Sequence, residues 1–200
     1  MESEQVNNIP GTILNRDKMD GATGLEFLDK VFFITDKIML AQIREITGID
    51  GTTLQNWLKR GWVGTPNKKS YTIEHLARIL IINMMRDTMQ LSRIIFILQY
   101  VNGKSEEDKI VKESVLYGYI CKVLDRLSEN GEISGAGIDG IISDVLSDYE
   151  EPVSGAGRRL SVGIKVITIT YYSALIKAEA EAILDSLGAE KTRKDEPYIL

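Results

Sequence analysis

The residues best suited to chemistry lie in one short stretch, Thr52, Thr53, Gln55, Asn56, Lys59 and Arg60, followed by Lys68, Lys69 and Tyr71. Their chemistry is recognition. Gln and Asn can each bond two edges of adenine at once, and a Thr methyl can meet the methyl of thymine. Lys59 and Arg60 suit phosphate oxygens, where they also complement a helix dipole. Lys68 and Lys69 follow a Pro66-Asn67 turn, as in a loop that runs along a sugar-phosphate backbone. Tyr71 closes that loop and is counted with the contacts, although its ring, like those of Trp57 and Trp62, suits packing between helix and wing better than stacking on a base.

Bond-making chemistry has no comparable signature. There is no Gly-rich phosphate loop and no nucleophile motif, and Asp139, Asp144 and Asp148 at i, i+5, i+9 read as a solvated face. The single Cys121 and the single His75 cannot assemble a usual zinc ligand set, so no metal, cofactor or catalytic centre is expected. Cys121 reads as core and His75 as a surface or capping residue.

Elements able to position the polar stretch are legible around it. Leu40, Ile43 and Ile46 mark the apolar face of a first helix, Gly48-Ile49-Asp50 a tight turn, and residues 51–60 a second helix. Asp50 stands where an N-cap belongs, and Gly61 suits the left-handed position after the helix. Leu54, Trp57 and Leu58 at i, i+3, i+4 face inward, which leaves Thr52, Gln55, Asn56 and Lys59 outward. A helix this short fits a major groove about 12 Å wide. The following segment, Trp62 to Tyr71, reads as a small basic β wing.

The rest of the chain organises around this head. Residues 1–23, with Asn7-Asn8 and Pro10-Gly11, read as a mobile arm, and Leu25 to Phe33 as a short helix or an extended lead-in. Thr72 can cap a helix near 73–87 that is apolar on most sides and therefore central. Asn83 within it suits a bond to a neighbouring backbone group. A second helix runs to Asn102-Gly103, closing a head domain at 24–103. A helical dimerisation or effector region is expected at 104–188, with helices near 106–129, over Ile138–Leu146 and from about Leu160 to Leu187, then a flexible tail at 189–200. The β-branched run at 160–170 could be a strand, but an isolated strand would lack a partner, and helix is preferred. Tyr117, Tyr119, Tyr171 and Tyr172 could line an effector pocket or pack a bundle core. The fold class is thus mainly α, with a winged helix-turn-helix head and an α-helical C-terminal region.

The formal charge of −5 conceals an asymmetry. Residues 40–94 carry +4 and the remainder −9, so a locally basic head sits on an acidic body. The acidic, polar N-terminus and the lack of a long uncharged apolar run point to a cytoplasmic protein without a membrane segment.

Leu40-Ala41-Gln42-Ile43, Thr47-Gly48-Ile49-Asp50, Thr53-Leu54-Gln55-Asn56-Trp57, Lys59-Arg60-Gly61-Trp62-Val63 and Tyr71-Thr72-x-x-His75-Leu76 resemble the winged head of MerR-type regulators. They are still more similar to a bacterial family of MerR-like regulators labelled a domain of unknown function. The resemblance covers about residues 25–103. It implies a cytoplasmic, homodimeric transcriptional regulator of double-stranded DNA, with an effector or protein partner at its helical C-terminal region. Where MerR-type heads place Arg and Tyr after the Thr-Leu pair, this chain has Gln55 and Asn56 followed by Trp57, which shifts phosphate binding towards Arg60, Lys68 and Lys69. The alternative is a protein-interaction module on the same scaffold.

Overall fold

The structure is a computed structural model and describes residues 7–66, 69–130 and 135–194. The chain is mainly helical, with one two-stranded sheet among the described residues. The helices are α1 (Gly24–Phe32), α2 (Leu40–Thr47), α3 (Gly51–Lys59), α4 (Ile73–Met85), α5 (Leu91–Asn102), α6 (Glu113–Asn130), α7 (Gly135–Val145) and α8 (Ala156–Lys194). Strand β1 (Ile38–Met39) runs antiparallel to β2 (Ser70–Tyr71), with Ile38 opposite Tyr71. The sheet therefore joins the lead-in of α2 to the lead-in of α4, and the strand at the end of the expected wing takes its partner from before α2.

α4 occupies the centre. Leu76, Ala77, Ile79, Leu80, Ile81, Ile82, Met84 and Met85 are all buried, so apolar neighbours must cover it on nearly every side. α1, α2, β2, α5, α6 and α8 supply that cover. One continuous core runs from Ile9 through α4 to Ile167, joining what the sequence divides at Gly103 into head and body. That boundary is a turn inside one packed unit.

Thr72 donates its backbone N–H to His75 Nδ1 at 3.2 Å, which makes the histidine part of the α4 cap. Asn83 Nδ2 donates to the carbonyls of Gly11 (2.9 Å) and Thr47 (3.2 Å). The expected mobile arm is correspondingly corrected for residues 7–22. Ile9 and Ala22 are fully buried, Ile13 N–H donates to Ile46 O at 3.0 Å, Tyr117 Oη donates to Pro10 O at 2.8 Å, and Arg16 pairs with Asp125. Residues 1–6 lie outside the described residues.

Two further boundaries differ from the sequence reading. Helix α6 starts at Glu113, not near 106, because Asp108 Oδ2 accepts from Ser105 Oγ and from the N–H groups of Lys104 and Ser105, closing a local turn that competes with helix. Asn102 Oδ1 then accepts from the N–H groups of Ile110 and Val111, fixing the bend before α6 while both side chains are buried. α8 covers the β-branched run and continues to Lys194, past the expected end at Leu187; residues 195–200 lie outside the described residues. Gly163 permits its crossing with α5, since a β-carbon there would stand 2.2 Å from Val101 Cγ2. α8 also carries an 18-residue window of mean hydropathy 1.2, long and apolar enough by length and composition to cross a membrane, although part of it is spent on the core.

Tyr117→Phe should leave the buried Pro10 carbonyl without its donor and lower unfolding stability by about 1–3 kcal/mol, read from urea unfolding. Faster amide exchange at residues 9–14 should accompany it, and an unchanged midpoint would contradict the tie. Burial pushes the Cys121 thiol up to about 11. Because the thiolate is the nucleophile, native protein at pH 8 should resist iodoacetamide and react on unfolding; rapid native labelling would contradict this burial.

Candidate nucleic-acid interface

α2 and α3 meet at a three-residue turn. Gly48 adopts the left-handed conformation (φ 69°) and returns its N–H to Arg44 O at 2.8 Å, while Ile49 is buried beneath the turn. Asp50 Oδ1 accepts from Thr53 N at 2.9 Å, capping α3. Hydrogen bonds from Thr53, first through its side chain and then through its backbone, hold the Asp50 carboxyl below its ordinary value. The capping interaction is therefore present at neutral pH and is lost as pH falls through that lowered value.

α3 is anchored by Leu54 and Trp57, both nearly inaccessible. Opposite them, Thr52, Gln55, Asn56 and Lys59 are exposed. At about 100° per residue these four fall within an arc of roughly 100°, forming one polar stripe. Thr53 sits at its edge, half-buried, with its backbone engaged by the cap. Arg60 lies beyond the last turn with its guanidinium 5.0 Å from the Trp62 ring centre, a cation–π contact that orients it beside the stripe.

Lys69 is exposed and held in a left-handed conformation (φ 65°) just before β2. Lys68 lies outside the described residues. Tyr71 is corrected: its ring is only 3% exposed, edge-on to His75 at 6.0 Å, so it packs the joint between sheet and α4 and offers no surface contact. The structure thus gathers Thr52, Gln55, Asn56, Lys59 and Arg60 on one exposed side, sets Thr53 at its margin and withdraws Tyr71.

Sequence reasoning missed Arg44. It is exposed on α2, and its side chain passes 3.7–3.9 Å from where a β-carbon on Gly51 would stand. The Arg44 side chain therefore lies in ordinary contact distance of the start of α3. The available signal was a cation on the outward face of the first helix, one turn before the helix-helix turn.

The loop after α3 is tied to the rest of the fold by Arg78. Its Nε donates to Trp62 O and its NH1 meets Glu113 Oε1 at 2.6 Å, with side chains 17% and 4% exposed. Asn102 Nδ2 also reaches Glu113 Oε1, and Glu74 accepts from Ser114 N and Oγ. A cavity of about 460 Å³ opens beside this tie, lined by Val63, Thr65, His75, Gln99, Lys104 and Ser105 among others. Of the four tyrosines considered for an effector pocket, Tyr117 is core and Tyr119 stacks edge-on to Tyr149 at 6.5 Å. Tyr171 and Tyr172 line a cavity of about 260 Å³ with Pro10, Arg16, Leu124 and Asp125.

Arg78→Ala should strand the buried Glu113 carboxylate and destabilise the protein by about 3–5 kcal/mol, whereas Arg78→Met combined with Glu113→Leu should recover most of that loss in chemical denaturation. A loss below about 1 kcal/mol for Arg78→Ala would mean that the pair behaves as a solvated one.

No curated protein and no solved structure shows significant similarity to the chain. Residues 23–120, from the N-cap of α1 through the first two turns of α6, match the family model described as Domain of unknown function (DUF1836).

Proposed function

We propose that the protein is a sequence-specific transcriptional regulator of double-stranded DNA, with α2 and α3 acting as a helix-turn-helix. α3 enters the major groove, and the segment from Trp62 to Tyr71 serves as a wing along the phosphates. The observation that carries this reading is the exposed stripe of Thr52, Gln55, Asn56 and Lys59 on a short, capped helix held by Leu54 and Trp57. Gln55 and Asn56 have the geometry to read adenine, and Thr52 can meet thymine. Lys59, Arg60 and Lys69, joined by Arg44 and by Lys68, would neutralise phosphates. One head offers few cations, so two copies on two half-sites would double the contacts and steepen the salt dependence.

Apolar exposure elsewhere favours a second reading. Phe33 and Ile34 are 86% and 93% exposed just before β1, a feature suited to a protein partner and of no use against phosphate. A protein-interaction module on this scaffold would use that tip and would not bind duplex DNA in a salt-dependent way.

Selection of bound fragments from genomic DNA by the purified protein, repeated at two salt concentrations, tests both readings. Recovery of a shared, roughly palindromic site is expected. Lys68→Ala with Lys69→Ala should weaken binding to every sequence and lower the salt slope by about one per lost contact. Gln55→Ala or Asn56→Ala should relax preference at one base pair, worth about 1–3 kcal/mol of discrimination. Absence of enrichment at either salt overturns the DNA reading and turns attention to the Phe33-Ile34 tip.

A further inference from the structure

α8 is used on one face only. Its inward side chains, Leu160, Ile164, Ile167 and Thr168, are fully buried against the core. On the opposite side Val162, Ile169, Ile176 and Ile183 recur at a strict interval of seven, and all four are exposed. Leu184 and Leu187 extend the same side. At about 100° per residue the six fall within roughly 100° of arc, and a seven-residue apolar repeat keeps such a seam aligned when two helices supercoil left-handedly.

The second half of the helix makes the pattern difficult to explain within one chain. Every described side chain from Glu179 to Leu187 is exposed, yet the helix continues to Lys194. An isolated helix of about 15 residues is marginal in water, so a helical stretch exposed on every side would gain stability from a covering partner. From their fractional exposures, the six seam side chains leave on the order of 600 Å² uncovered per chain, most of the approximately 800 Å² that each partner gives to a standard interface.

We propose that α8 pairs with α8 of a second copy of this chain, forming a two-stranded coiled coil along Val162, Ile169, Ile176, Ile183 and Leu187. A second copy meets the seam with the same interval and the same branched aliphatic side chains, so the contact is self-complementary and closes at two chains. This supplies the pairing that the DNA reading calls for, but it rests on α8 alone and can fail or hold independently of DNA binding.

The test is the solution mass of the full chain without DNA, by light scattering on a sizing column at micromolar concentration. The wild type should have the mass of two chains, and Ile176→Glu with Ile183→Glu should halve it. Because both residues are exposed, the resistance of the buried Cys121 to labelling should be retained in the variant, which separates dissociation from unfolding. Phe33→Glu with Ile34→Glu, away from the seam, should remain dimeric. A wild type with the mass of one chain overturns the proposal, as does a seam variant that stays dimeric. Flotation of the wild type, but not the seam variant, with vesicles of neutral phospholipid would overturn it in favour of a lipid-facing helix. Loss of DNA binding by the head variants with an unchanged mass would leave the seam standing.

Discussion

The burial of α4 is the constraint on which the other elements depend. A helix with eight of its thirteen side chains buried has almost no solvent face, so its stability comes from neighbours on every side. α1, α2, the sheet and α5 reach it from within residues 24–103, and α6 and α8 from the chain that follows. Polar side chains in this region tie the same elements together. Asn83 satisfies two carbonyls from distant segments, and Arg78 links the loop after α3 to the first residue of α6. Removing one such partner leaves a desolvated group behind, which is why these few polar residues weigh as much as the aliphatic ones around them.

Against that dry interior, the polar stripe on α3 is peripheral. Nothing in the core requires Thr52, Gln55, Asn56 or Lys59 to be what they are, since Leu54 and Trp57 already secure the helix. Their side chains are free to be chosen for what they meet outside. Some of the acidic groups outside residues 40–94 are paired locally, as Asp139 is with Lys165 at 2.7 Å.

Locally determined features were legible in the sequence. The α2 to α3 turn was visible because Gly48 and Asp50 act on their own backbone within four residues. The inward and outward faces of α3 followed from helical spacing, and Asn83 was recognisable as a polar group needing backbone partners. Features set at long range were not. Tyr71 has the composition of a surface contact, and only the approach of β1 and α4 buries it. Ile9 hides among Asn and Gly residues, yet is fully buried, and the next residue, Pro10, is held by the distant Tyr117 hydroxyl. The apparent domain boundary at Gly103 is a genuine break in periodicity, but periodicity does not report that α1 and α6 pack together. In α8 the β-branched run weakly disfavours helix, and its burial against α4 and α5 outweighs that preference.

The amide of Asn83 grips Thr47, the last residue of α2, and Gly11 of the N-terminal segment, directly behind the turn that aims α3. A turn clamped from behind has little freedom to lose when something docks on its front. The stripe is accordingly presented as a finished surface. Under the proposed reading, docking there would entail little ordering, and differences in affinity would reside in how long each bound sequence stays.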